Sequence, residues 1–318
     1  MLNKNKLVSI LIPVYNREKY IEETVKSALN QTYRNIEVII VDNKSTDNTW
    51  KILKKLAKQD SRLKIFQNET NIGPVRNWKR CIDEASGEYG KILWSDDLIT
   101  PDFIEKTLHY IENKDVGFVI TGTKVFTKCP KDGKVHVSIN KSGIYNSEEY
   151  IKGILYFDKY PVSPGCALFR LKDLRKNLLI NIPNKINIDF SMHAIGNDLL
   201  IYLLTANQYP KFAFVKDYLS FFRAHPDSIS IKSNKCRLII NYSLALSYFI
   251  EKYRSDLIRA NNTRLYLVLK KCKKLNKEMN LKRINDFYMK NTNAKIDFVS
   301  LVKMVKNILI RKFNNFKG

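Results

Sequence analysis

At 318 residues, 44% hydrophobic and 11% aromatic, the chain is long enough for one large α/β domain plus an appendage. Its 55 Lys+Arg against 31 Asp+Glu give +24, but residues 231–318 hold 21 of the basic and only 5 of the acidic residues, so the first 230 are only mildly basic. No window reaches the ~18 apolar residues of a membrane span, the run Leu7 to Val14 is too short and too proline-broken for a signal peptide, and five cysteines without metal spacing argue against zinc and predict free thiols in a reducing, cytoplasmic setting.

The first 120 residues alternate strand and helix patterns. Leu7 to Ile12 predicts a buried strand, Glu18 to Asn30 an amphipathic helix, and Ile36 to Val41 a second strand. A helix follows Ser45-Thr46-Asp47, with Thr46 or Asp47 as its N-cap. Leu63 to Phe66 predicts a short strand, Val75 to Ala85 a helix and Tyr89 to Trp94 a strand. Thr100-Pro101 then opens a helix, and Val116 to Thr121 is the next strand. Residues 122–145 predict a hairpin turning at Lys131 to Lys134. Asn187 to Ala206 has a helical pattern and Phe212 to Val215 a strand pattern. Residues 233–290 predict two or three helices, and Ile296 to Phe316 a final amphipathic helix. Repeated β-α units predict an α/β, doubly wound, mostly parallel sheet with ligands at the carboxyl ends of its strands. The division expected is a catalytic domain over 1–230 and a basic helical region over 231–318.

Polar motifs cluster where these strands end. They are Pro13-Val14-Tyr15-Asn16, the run Val41 to Asp47, Asn71 to Asn77 with Arg76, the pair Asp96-Asp97, and Gly196-Asn197-Asp198-Leu199. Two carboxylates at a strand end suit a hard divalent cation completed by phosphate oxygens and water. An aromatic ring, an amide or carboxylate acceptor, an arginine and such a cation together suit a nucleoside diphosphate. Trp50 and Trp78 fall on helical faces as packing residues, and Pro164 to Arg170 is a small-residue strand that could floor an acceptor pocket.

With these motifs in this order, the chain resembles family 2 glycosyltransferases of the GT-A fold. The resemblance rests on Val8 to Asn16, Ser27 to Tyr33, Val41 to Asp47, Ala85 to Tyr89 and Ser95-Asp96-Asp97, and covers roughly residues 7–225. It implies an inverting transfer of sugar from a nucleotide-diphosphate donor, with Mn²⁺ or Mg²⁺, in assembly of a bacterial surface polysaccharide such as capsule, lipopolysaccharide or wall glycan. The implied acceptor is a glycan or a lipid-linked sugar. Pro13, Tyr15 and Asn16 would line the nucleobase and ribose pocket. Asp42 and Asn43 stand where the family usually has two aspartates, and the second typically reads the base, through which a uridine nucleotide is implied. Arg76 would approach the diphosphate and Asp96 the ribose. Asp97 would bind the metal, His225 in Phe221-Phe222-Arg223-Ala224-His225 would complete the metal shell or touch the diphosphate, and Asp198 would be the general base, with Asp189 the runner-up. Trp94 stands where the family often has a further Asp, so one acidic group is missing.

Three other readings have sequence support. A nucleic-acid-binding protein fits +24 and the many aromatics, but its charge should be interleaved with the motifs, and here it lies apart, so no nucleic-acid partner is expected. A nucleotidyltransferase should carry a Gly-rich phosphate loop after the first strand, and Pro13 to Arg17 has no glycine. A sugar-nucleotide-binding pseudoenzyme is consistent with Asn43 and Trp94. The basic face of the final helix (Lys303, Lys306, Arg311, Lys312) against Phe298, Leu301, Val305, Ile308, Leu309 and Phe313 predicts attachment to an anionic membrane surface, at the inner face of the plasma membrane.

Overall fold

The computed structural model of the protein describes residues 6–316 other than 138, 140, 159, 227 and 229–233, with the backbone alone for 311–316. Strands β1 (Val8–Val14), β2 (Ile36–Asp42), β3 (Leu63–Gln67) and β4 (Tyr89–Ile92) alternate with helices α1 (Ile21–Leu29), α2 (Thr49–Ala57) and α3 (Pro74–Asp83). There follow β5 (Leu98–Ile99), α4 (Phe103–Ile111), β6 (Val116–Phe126), β7 (Lys134–Val137), β8 (Gly143–Asn146), α5 (Ser147–Leu155), β9 (Ala167–Arg170) and α6 (Leu171–Asn177). Then come α7 (Asn197–Gln208) and β10 (Lys211–Arg223). The C-terminal helices are α8 (Lys235–Tyr253), α9 (Ile258–Lys271), α10 (Lys273–Glu278) and α11 (Phe298–Phe316).

One sheet runs β3-β2-β1-β4-β9-β6-β10-β5, with β7 added to β6 and β8 to β10. β3, β2, β1 and β4 are parallel neighbours, β6 and β10 are parallel, and antiparallel β9 lies between the two groups. β1 and β2 are buried on both faces, which is why they read as unbroken apolar runs. Their side chains still alternate between two cores. Val8, Ile10 and Ile12 face the cluster that also holds Ile21, Leu53 and Phe103 of α1, α2 and α4. Leu11, Ile39 and Val41 face the cluster containing Trp78, Leu200 and Tyr202 of α3 and α7. That second cluster continues into Ile240, Leu244 and Phe249 of α8 and Leu265 of α9, so the basic helices share their core with the sheet.

The predicted elements agree with the structure through β6 to within a few residues, and the expected hairpin forms between β6 and β7. The largest difference is the helix expected from Asn187. Asn187, Ala194 and Gly196 take positive φ, at 54°, 60° and 116°. That backbone cannot continue a right-handed helix, so α7 starts only at Asn197. A second correction concerns the thiols. Cys236 and Cys272, 36 residues apart, form a disulfide with Cα atoms 5.5 Å apart, while Cys81, Cys129 and Cys166 are free. The packing of α8 against α9 brings the two sulfurs together, and no local Cys spacing announces it.

Candidate active site

Parallel register places the ends of β1 and β2 side by side, Val14 opposite Asp42, and the loops beyond them are locked by side chains. Pro13 is buried within β1, whereas Tyr15 is exposed at the rim. Asn16 has φ 51°, a conformation that Asn tolerates better than most residues. Its Oδ1 accepts the Thr46 N–H at 2.8 Å, and its own N–H donates to Ser45 Oγ at 2.9 Å. Asp42 is fully buried and accepts from Ser45 N–H, Ser45 Oγ–H and the Gln67 amide. Asn43 is buried in an amide network. Its Nδ2 donates to Asn71 Oδ1 at 2.7 Å, a bond that an Asp could not make. Its Oδ1 accepts from Asn68 Nδ2 at 2.8 Å and Ile72 N–H at 3.0 Å, so a base N–H reaching that oxygen would displace one of them.

The Asp pair lies beyond β4, where it meets the end of β10. Asp96 Oδ2 is 2.8 Å from His225 Nε2 and accepts from Arg17 Nε at 3.1 Å. Arg223 holds the turn, its Nε donating to the Asp96 carbonyl at 2.9 Å and its N–H to Asp97 Oδ1 at 2.8 Å. His225 is buried and packs on the Tyr20 ring with centroids 4.9 Å apart. Asp97 is only 5% exposed. Burial, and then the neighbouring Asp96 carboxylate, push its carboxyl well above the usual carboxylate range. Beneath the pair, Lys91 is fully buried, donates to the Gly165 carbonyl and lies 4.5 Å from the Phe103 ring centroid. Burial pulls its ammonium down to about 7, against the pull of Cys166 and Asp97.

The structure thus joins His225 to Asp96, the residue assigned to ribose in the sequence, and leaves Asp97, the residue assigned to metal, tying down the strand end that carries His225. Carboxylate oxygen and imidazole nitrogen are donor types that Mg²⁺ or Mn²⁺ accepts, so Asp96 and His225, which now hydrogen-bond each other, are the residues that would hold such an ion. Among the described residues no group of three or more His, Cys, Asp or Glu side chains is placed to hold a metal, so phosphate oxygens and water would supply the remaining ligands.

Asp198 stands at the start of α7. Its Oδ1 accepts the Gly196 and Leu199 N–H groups, both at 2.8 Å, and its Oδ2 accepts the Tyr242 hydroxyl of α8 at 2.8 Å. Burial pushes its carboxyl up to about 6, and these three donors limit the rise. The helix it opens is tied to Trp94, just before the Asp pair. Tyr202, one turn along α7, donates its hydroxyl to the Ser163 carbonyl at 2.9 Å, and Ser163 Oγ accepts from Trp94 Nε1 at 3.0 Å. Trp94, standing where an acidic group was missing, also packs on Trp78 with ring centroids 4.6 Å apart. Arg76 donates to Ser191 Oγ at 2.7 Å, and Ser191 Oγ donates to Asp189 at 2.5 Å. Those Ser191 bonds, with Arg76 nearby, hold the Asp189 carboxyl below its ordinary value.

Sequence reasoning missed Arg17, Arg223, Lys91 and Tyr242. Arg17 and Arg223 lie next to or near residues it did select, whereas Lys91 and Tyr242 sit in apolar runs that give no functional signal. Gly196 was quoted only as part of a motif, yet its φ of 116° is glycine territory, and an added Cβ would lie 3.0 Å from both Ala245 Cβ and Phe190 Cε1. Gly196→Ala is therefore expected to cost about 1–3 kcal/mol of stability. Chemical denaturation should show it as a lower midpoint, and an unchanged midpoint would mean that the loop relaxes freely.

Residues 9–178, just over half of the chain, match the family described as Glycosyl transferase family 2. The chain belongs to that family. Among its curated relatives, glycosyltransferase GlyG of Streptococcus pneumoniae is 38% identical over 116 residues, which is 36% of this chain and 38% of GlyG. The UDP-Glc:alpha-D-GlcNAc-diphosphoundecaprenol beta-1,3-glucosyltransferase WfaP of Escherichia coli is 39% identical over 137 residues, 40% of this chain and 53% of WfaP. The chain spans about half the length, or less, of such relatives. In three dimensions it is similar to S. aureus TarS 1–349, solved in complex with UDP-GlcNAc, with a TM-score of 0.58, 20% identity and 89% of each chain covered. That similarity shows the shared GT-A architecture. The site of this family 2 member, built at the carboxyl edge of its parallel strands, is where an open α/β sheet places its ligand.

Proposed function

We propose that the protein is an inverting glycosyltransferase that moves a sugar from a UDP-sugar to a hydroxyl of a glycan or lipid-linked acceptor during bacterial surface polysaccharide synthesis. The observation that carries this reading is the meeting of Asp96, His225 and Arg17 at one sheet edge, with the buried Asp198 carboxyl opening α7, the helix that Tyr202 ties through Ser163 to Trp94. UDP-Glc in the name of WfaP and UDP-GlcNAc in the TarS complex support the nucleotide. The diphosphoundecaprenol in the WfaP name supports a lipid-linked acceptor.

In this reading Tyr15, exposed at the rim, stacks on the base, while Pro13, Asn16, Asp42 and Asn43 shape the pocket around base and ribose. The acceptor oxygen attacks the anomeric carbon as the bond from that carbon to the donor phosphate breaks. The hydroxyl proton passes to Asp198, and the electron pair of the broken bond leaves with the nucleoside diphosphate. Arg17 and Arg76 offset the charge of that leaving group. A carboxyl near 6 is ionised at neutral pH yet more basic than an ordinary aspartate, which suits a general base. Mn²⁺ or Mg²⁺, held by Asp96 and His225, would add Lewis-acid neutralisation of the departing diphosphate.

A thermal-shift series with UDP, GDP, ADP and dTDP, each with and without Mn²⁺, tests the donor assignment. A ligand that binds only the folded state stabilises it by RT ln(1 + [L]/Kd), so at equal concentration the tighter ligand raises Tm more. UDP with Mn²⁺ is expected to give the largest rise, and a larger one with GDP or ADP would refute the uridine assignment.

A further inference from the structure

Helix α11 is clasped to the body mainly through polar groups, with Met304 as its fully buried apolar residue. Asp297 caps it, accepting the Ser300 N–H at 2.8 Å while its own N–H donates to Thr263 Oγ1 at 2.8 Å. Asn307 donates to the Tyr156 carbonyl at 2.9 Å and to Asp158 at 3.1 Å, and the Lys303 ammonium lies 4.2 Å from the Tyr156 ring centroid. Met304 and Ser300 are buried against the body. Opposite them, Phe298, Val302, Val305 and Leu309 recur at i, i+4, i+7 and i+11 and form one ridge, with Val299 and Ile310 beside it. All six are exposed, Phe298 to 74% and Val299 to 76%.

A surface helix of a soluble protein turns its apolar stripe to the core; here Met304 enters the core, but the wider apolar ridge points outward while the cap and amide clasp fix the rotation. An apolar ridge held outward is the mark of a surface that is covered in use. Two occupants suit such a ridge, a lipid surface and a second copy of the same helix. Charge separates them. Residues 231–318 carry 21 basic and 5 acidic residues, so a second copy would bring like charge against like, whereas an anionic bilayer brings the opposite sign. Among the described residues no helix is long and apolar enough to cross a membrane, so the attachment is interfacial. Arg311, Lys312 and Phe313, which the sequence places on the same helix, lie outside the described side chains.

We infer that the ridge of Phe298, Val302, Val305 and Leu309 inserts into the surface of an anionic membrane, with Lys306 alongside it to meet lipid phosphates. The inference stands on the mounting of α11 and does not depend on the identity of the donor.

The test is co-sedimentation of the full chain with vesicles of equal parts phosphatidylglycerol and phosphatidylcholine, beside vesicles of phosphatidylcholine alone. The wild type is expected to bind the anionic vesicles at least ~10-fold more strongly. The triple variant Val302→Glu, Val305→Glu, Leu309→Glu should lose that binding by at least ~10-fold at unchanged Tm, because it alters only exposed side chains. If the triple variant does not fold, Val302→Glu alone is read in the same way. Wild-type protein that ignores both vesicles, or variants that bind as well as wild type, would overturn the assignment. So would a dimer in sedimentation velocity that the variant abolishes while vesicles leave the wild type unbound, since the ridge would then be a contact between copies.

Discussion

Asp198→Asn is expected to lower kcat for sugar transfer by about 10²–10⁴-fold while leaving the affinity for UDP within a factor of about two. In free energy this is about 3–5 kcal/mol of transition-state stabilisation. Asn keeps the shape of the side chain and can still accept hydrogen bonds from Gly196, Leu199 or Tyr242, but it cannot take the acceptor's proton. The same assignment fixes a pH profile. Transfer needs the carboxylate, burial raises its pKa to about 6, and activity should therefore climb with pH through about 6. An ordinary aspartate would place that limb near 4. Tyr242→Phe removes one hydrogen bond to the carboxylate, so the limb should move to higher pH. Steady-state rates at saturating donor measure both effects. Wild-type turnover by Asp198→Asn would exclude it as the base and direct attention to Asp189.

Asp96→Ala should have the second largest effect, a fall of about 10²–10³-fold in kcat/KM together with loss of the response of UDP binding to Mn²⁺. Removing this carboxylate takes away the partner of both Arg17 and His225, so the positive edge of the site loses its fixed geometry. Asp97→Ala is expected to act differently. Its Oδ1 accepts the Arg223 N–H, so the variant should lose stability first, with affinity following through the displaced strand end. Calorimetric titration of UDP with and without Mn²⁺ separates the two. A Mn²⁺ response kept by Asp96→Ala and lost by Asp97→Ala would return the metal contact to Asp97.

Much of this was legible in the residues. Apolar runs such as Val8–Val14 and Ile36–Asp42 identify central strands because both faces are buried, and the motifs after them fall at the carboxyl edge of the sheet, where Asp96, Arg17 and His225 meet. The start of α7 was not legible, because Asn187 and Ala194 adopt positive φ in the fold without a local sequence signal. Nor was the partner of His225. Whether it reaches Asp96 or Asp97 depends on how the end of β10 meets the turn after β4, a pairing of residues about 130 positions apart. The Cys236–Cys272 disulfide and the Asp198–Tyr242 bond were hidden for the same reason, since both depend on how α8 packs. The amphipathic pattern of the last helix was visible, but only the fold shows that its apolar side faces outward.

The most direct test of the account is the stereochemistry of turnover. Proton NMR can follow the slow hydrolysis of an α-linked UDP-sugar by wild type and Asp198→Asn, reading the anomeric signal of the sugar as it is released. Direct displacement assisted by Asp198 predicts that the β-anomer appears first with wild type and that release nearly stops in the variant. First appearance of the α-anomer, or equal release by both proteins, would contradict it.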